Sequence, residues 1–397
     1  MSLELSDRQS VEGQERDERR AILGWRTILA HSRSVGGLML AIGVVWVVFF
    51  VATGGIFLSD RNITNLFRQS SITAIVALGM LIVIAQGEID LSVGSFMGLC
   101  ATLVAIMESA GTYPAILSVA AALMLGVAVG YWNGVWVAKL GVPAFVATLG
   151  GMLAFRGLSL ALSGGRTISG IRPGIKYLGE AFVAGPALWL FLIASLAVAL
   201  YPLRHVSNPA RSRKSVSTAA LGVAGVALLA WATLSYRGLP MAVATTLVVS
   251  VLLANLLRNT VWGRHVFAVG GNRSAARLSG IRVGRHIIIG YVLIGVLTAI
   301  ASLMFVGRLG AAPPETGYFL ELNAISAVVI GGASLYGGTG TVPGVLLGAL
   351  LMQSLANGLS LLNVPTAYQN VTSGLVLILA VYLDAVSKRG GRLFLKQ

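Results

Sequence analysis

Charge is scarce in this chain. Of its 397 residues only 11% are Asp, Glu, Lys or Arg, against roughly 25% in a soluble domain. That is too few to clothe a water-facing globule, so a soluble enzyme is excluded. One cysteine, Cys100, excludes an intramolecular disulfide and any Cys-based metal cage. No lysine follows a glycine, so no Walker A loop can cradle a nucleotide phosphate, and neither H-E-x-x-H nor G-x-S-x-G occurs. The four histidines (His31, His205, His265, His286) fall in polar connections or at their edges, where an interfacial role outweighs a metal or general-base role. No nucleophile–base pair suggests chemistry.

Apolar residues are abundant: 56% of the chain, with a mean hydropathy of +0.84. A membrane-crossing helix takes about 20 residues. Windows of that kind fall at about 37–58, 70–87, 92–109, 115–138, 143–163, 186–203, 217–235, 239–257, 287–306, 321–336, 342–361 and 368–385. The expected fold is therefore an all-α polytopic membrane protein with about twelve spans. The window at 321–336 is short and glycine-interrupted, and reads as a broken or re-entrant helix. Gly331, Gly332, Gly337, Gly338 and Gly340 suit a flexible break better than a phosphate cradle, for no Lys-Ser/Thr follows them. The 49 glycines suit close helix packing in a bilayer.

A net charge of +15 could suggest nucleic acid, but the basic residues sit in a few connections between apolar runs. With the N-terminus inside, the cytoplasmic segments hold 21 Lys and Arg and the opposite side 7, with Arg156 inside a span. This bias predicts both termini on the cytoplasmic side. Residues 1–36, acidic and basic without an apolar run near the start, read as a solvated tail. Residues 37–386 form the membrane region and 387–397 a second cytoplasmic tail.

The longest cytoplasmic connection, 258–286, has room for a task of its own. Asn272 or Ser274 can cap a short helix carrying Ala275, Ala276, Leu278 and Ile281, and Gly280 can end it. Such a basic loop can lie on anionic lipid or dock its helix in a partner's groove. The membrane region contains few acids: Glu88, Asp90 and Glu108 early, Glu321 and Asp384 at span edges. A proton- or ion-driven transporter usually keeps acids at midplane depth.

Four stretches in order resemble one family: GEIDLSVGSFMGL at 87–99, GVPAFVATLGGMLAFRGLSLALSGGRTI at 141–168, GRHVFAVGGNRSAARLSGIRV at 263–283, and NAISAVVIGGASLYGGTGTVPGVLLGALLMQSLANGLSLLNV at 323–364. The chain is similar there to the permease subunits of ATP-binding-cassette (ABC) importers for monosaccharides, the ribose, xylose and arabinose type. The resemblance implies a ten-span core, so 186–235 reads as a two-span insertion around the basic loop Arg204–Lys214. Xylose-type permeases resemble this longer layout, which points to xylose or a similar pentose.

The same resemblance implies a homodimer in the bacterial inner membrane, an extracytoplasmic sugar-binding protein, and ABC ATPase subunits that use the ATP. The chain would bind no cofactor and no metal, and would touch lipid but not nucleic acid. It also implies that Gly263, Arg264, Asn272, Ala275, Ala276, Leu278, Gly280 and Ile281 form a coupling segment to the ATPase. Glu88 stands where many members carry a second glycine, and Glu88, Asp90 and Ser92 have two readings: helix cap, or carboxylates and a hydroxyl facing the sugar path. Arg156 either pairs with carbonyls or a neighbouring acid, or lines an external vestibule. Asn133, Thr148 and Asn323 either join helices by hydrogen bonds or line the path. From other classes, a self-sufficient ion-coupled transporter or channel is the runner-up, and a sugar-linked membrane enzyme comes last.

Overall fold

The computed structural model describes residues 36–200 and 236–393, with further residues between 219 and 234. The expected tail up to residue 35 and the basic connection at 204–214 lie outside the described residues. In chain order the helices are α1 (Gly36–Ala52), α2 (Asp60–Ala85), α3 (Val93–Ser109), α4 (Ala115–Ala138), α5 (Ala144–Ser163), α6 (Pro173–Glu180) and α7 (Pro186–Leu200). There follow α8 (Met241–Asn259), α9 (Val261–Gly271), α10 (Arg273–Leu278), α11 (Val283–Leu309), α12 (Leu320–Ile330), α13 (Val342–Leu361) and α14 (Thr366–Leu393). Among the described residues 6 helices, α2, α4, α5, α8, α11 and α13, are long and apolar enough to cross a membrane. The described residues between 219 and 234 are helical as well. The last helix continues to Leu393, past the expected end of the final span near 385.

Composition decides which helices lie inside. α2 is apolar on every face from Ile72 to Ala85, and a helix hydrophobic all round belongs at the centre of a bundle. It packs against α8, α11, α12 and α13, and 83% of its most apolar window is buried. α4 and α5 have only 22% and 17% of theirs buried, which places them at the rim. The buried face of α4 is a run of small residues, Ser118, Ala122, Gly126, Gly130 and Gly134, and it meets α11. A Cβ on Gly126 would lie 2.7 Å from the Gly295 oxygen. The two backbones thus approach as small residues allow in a bilayer, where packing rather than water exclusion drives helix association. Cys100 is sealed in a second apolar cluster with Phe96, Phe155 and Ile175.

The all-α expectation needs one amendment. Two ladders of two residues each close the end of the molecule that carries α6. Ile168–Ser169 pairs antiparallel with Ala311–Ala312, and Phe182–Val183 with Leu239–Pro240. They tie the 164–185 connection to the segments after α11 and before α8, and satisfy backbone groups that would otherwise be unpaired. At the same end Arg172 pairs with the buried Glu108 at 3.1 Å, and the Ser118 hydroxyl donates to that carboxylate at 2.6 Å.

Two parts of the chain share a plan. α2, 26 residues or about 39 Å long, turns at Gly87 (φ 78°), runs without helix to Ser92 and re-enters as the shorter α3. α11, 27 residues long, turns at Gly310 (φ 68°), runs without helix through 313–319 and re-enters as α12, only 11 residues long. At about 17 Å, α12 cannot cross a hydrocarbon core of about 30 Å. It stops at Ile330, and 331–341 is the non-helical, glycine-rich break expected from the sequence.

Candidate functional site

The two short helices begin against each other. A Cβ on Gly94 would fall on the Gly317 carbonyl oxygen and on Glu321 Oε2, so only a glycine lets the first turn of α3 meet the start of α12. Gly317 itself has φ 76°, a backbone conformation open to glycine. Glu321, in the first turn of α12, is buried there, with Oε2 lacking a hydrogen-bond partner among the described residues. Burying such a carboxylate oxygen is costly unless other groups compensate. Arg156 of α5 reaches the same junction. Its Nη1 donates to Thr316 O at 3.1 Å and Pro314 O at 3.3 Å, and the guanidinium lies 5.5 Å from the Tyr318 ring centre. Of the two readings of Arg156, the geometry is that of pairing with carbonyls.

Below the junction, the stretch from Gln86 to Ser92 is pinned from several sides. Ile89 O accepts from the Tyr291 hydroxyl at 3.3 Å and from Thr148 Oγ1 at 3.5 Å. Asp90 Oδ1 accepts from the Ser92 N–H at 2.8 Å and the Ser92 hydroxyl at 2.6 Å. Asn133 Nδ2 donates to Ser92 Oγ at 2.9 Å. Asp90 and Ser92 thus form a buried polar cluster with Asn133 of α4, and the buried Thr148 bonds Ile89 O beside it. Of the two expected caps, Asp90 does take a free N–H at the start of α3, that of Ser92 at 2.8 Å, whereas Ser92 makes no side-chain cap. Ser92 occupies the N-cap position, but its backbone is α-helical (φ −84°, ψ −14°) and its hydroxyl is engaged by Asp90 and Asn133. A capping serine needs an extended backbone to turn its oxygen toward the free N–H groups. Asn323 sits apart from this cluster, half-buried one turn into α12.

Glu88 belongs to neither group. Its Oε1 lies 2.6 Å from Arg273 Nη2, the first residue of α10, and that same nitrogen donates to Gln86 O at 3.2 Å. The loop at 258–286 thus reaches back to the stretch that enters α3. It contains two helices where the sequence reading expects one. α9 is capped by Thr260, whose Oγ1 accepts from the Gly263 N–H at 3.1 Å. A side chain on Gly270 would collide with Ala85 O, and the Gly338 N–H donates to that same carbonyl at 3.0 Å. α10 is capped by Asn272, whose Oδ1 accepts from the Ala275 N–H at 2.9 Å. It ends as a Schellman motif at Gly280 (φ 81°), with Ile281 N–H donating to Ala276 O and Gly280 N–H to Arg277 O, each at 3.0 Å.

The capped helix divides the expected docking residues. Ala276 is buried and Ile281 packs against the main core, whereas Arg264, Ala275 and Leu278 face outward, Leu278 at 90% exposure. Sequence reasoning missed Arg273, Tyr291 and Glu321 as parts of these clusters. Only Glu321 left a trace, as one of the few acids at a span edge.

The family model described as "Branched-chain amino acid transport system / permease component" matches residues 62–381. The chain is 43% identical over 360 residues to the xylose transport system permease protein XylH of Haemophilus influenzae, covering 89% of this chain and 96% of that protein. It is 40% identical over 366 residues to the XylH of Escherichia coli, covering 89% and 92%. It is 36% identical over 328 residues to the ribose import permease protein RbsC of Bacillus subtilis, covering 83% and 86%. No solved structure matches the chain.

Proposed function

We propose that this chain, which belongs to the branched-chain amino acid transport system / permease component family, is the membrane-spanning permease of an ATP-driven importer for xylose. The observation that carries the reading is the identity of 43% and 40% to two xylose permeases along nearly the whole chain. The bundle of long apolar helices supports residence in the bacterial inner membrane. The chain has no Walker A sequence, so ATP is hydrolysed on a separate ABC ATPase subunit. The outward face of α10, with Ala275 and Leu278, supports docking of that subunit at the cytoplasmic surface. About twelve crossings with both termini inside agree with the distribution of Lys and Arg. The end that carries α6 then faces outward, where a sugar-binding protein delivers substrate, and two copies of the chain frame the path. The polar cluster of Asp90, Ser92 and Asn133, with Thr148 beside it, and the junction of Gly94, Gly317 and Glu321 are the parts of each copy that respond as the path opens and closes.

Affinity purification of the tagged chain from its own membrane in mild detergent, followed by mass spectrometry, is expected to bring down an ABC ATPase. Uptake of labelled xylose is expected to survive an uncoupler that collapses ion gradients and to stop when ATP is depleted. The opposite pattern, loss with the gradient and survival without ATP, would move the chain to the class of ion-coupled transporters.

A further inference from the structure

We propose that the Arg273–Glu88 ion pair is the mechanical link that passes motion of α10 to the start of α3, which makes Arg273 and Glu88 positioning residues for transport. The inference rests on the importer reading above and adds to it the route by which a docking helix reaches the membrane interior.

The pair differs from an ordinary surface salt bridge in three ways. Glu88 is buried, with a side-chain exposure of 9%, while Arg273 stands at 42%. One end of the contact is thus fixed in the protein body and the other lies at the surface of the loop. Arg273 is the first residue of α10, a helix fixed at both ends by the Asn272 cap and the Schellman turn at Gly280. Six residues held so tightly move as a body, and Arg273 moves with them. The guanidinium also grips twice, on the Glu88 carboxylate and on Gln86 O, so that it holds the backbone as well as a side chain.

The far end of the route is equally constrained. Between Gln86 and Ser92 the chain is not helical, and Tyr291, Thr148, Asp90 and Asn133 hold it by side-chain bonds. It has little slack to absorb a displacement. Two residues beyond Ser92 lies Gly94, against Gly317 and Glu321 at the start of α12. A shift of α10 therefore arrives at the place where the two short helices meet. Packed junctions of this kind respond in steps rather than by gradual deformation. A glycine at position 88 would leave Arg273 holding only a carbonyl. The chain with Glu88 adds a charge-assisted bond to this contact.

The test uses the whole complex of the chain, its ATPase and its binding protein in proteoliposomes, with labelled xylose as probe and ATP hydrolysis measured in parallel. The variants are Glu88→Ala, Arg273→Ala, their double variant, and the isosteric Glu88→Gln. Membrane abundance and co-purification of the ATPase are read for each. With assembly intact, each alanine variant is expected to lower xylose taken up per ATP hydrolysed about tenfold. The double variant is expected to lose no more than the worse single one, because both remove one interaction. Glu88→Gln keeps the shape and an acceptor oxygen, and is expected to assemble normally and lose part of the ratio. Wild-type ratios in the assembled single variants, or losses that multiply in the double variant, would overturn the link. A wild-type complex that takes up no xylose on ATP would instead overturn the importer reading.

Discussion

Gly94 has two neighbours that forbid a side chain: a backbone carbonyl, which cannot step aside, and the Glu321 carboxylate, which can swing only by giving up its buried position. Gly94→Ala is therefore expected to destabilise the protein by about 1–3 kcal/mol, the usual cost of overpacking. In a thermal-melting series on purified protein it should melt below the wild type. Gly150→Ala, in α5 with nothing within 4 Å of the added Cβ, serves as control; equal melting of the two variants would refute the close contact. At this scale the sequence was partly legible. Asn133, Thr148 and Asn323 stood out as polar residues in apolar runs; Asn133 and Thr148 are buried and hydrogen-bonded, as a buried polar group needs, while Asn323 is half-buried. Which partner a buried group finds was not legible, since the bonds join residues such as Ser92 and Asn133 that meet only once α3 and α4 have packed. The cap reading of Ser92 failed for the same reason: a competing bond from another helix took its hydroxyl.

Among the elements, apolar length and punctuation carried most of the information. The windows at 143–163 and 239–257 fall within two residues of α5 and α8, bounded by the Pro143 and Pro240 that begin them and, for α5, the Gly164 that ends it. The Asn272 cap and the Gly280 stop were readable because both work through local backbone geometry. α9 was not, because its residues Val261–Gly271 form an amphipathic face only against α2, α8 and α11. The helix 173–180 escaped notice too, being a single short piece inside a long connection. α10 gives the prediction at this scale. Asn272→Ala removes the bond to the Ala275 N–H and is expected to cost about 1 kcal/mol of local helix stability. If α10 docks the ATPase, the variant should co-purify less ATPase under the same wash, and deletion of 272–281 should abolish co-purification while the chain still inserts. ATPase recovery unchanged by that deletion would remove α10 from the interface.

For the whole molecule, the opposed ends of the bundle are chemically distinct. One carries the ion pair of Arg172 and Glu108 and the two small ladders, the other the loop of α9 and α10. The proposed orientation, argued from the Lys and Arg bias, would put the first outside and the second in the cytoplasm. Cys100, the one thiol in the sequence, is fully enclosed. As a consequence the wild-type chain is silent to thiol reagents while folded, and it is a ready background for single-cysteine labelling without prior removal of a native cysteine. A membrane-impermeant maleimide added to intact cells should leave the wild type unmodified. It should label Tyr177→Cys, at an exposed site in α6, and spare Leu278→Cys, at an exposed site in α10, until the membrane is opened. Labelling of Leu278→Cys before Tyr177→Cys would invert the proposed orientation, and every later spin label or fluorophore could be placed by the same two-site map.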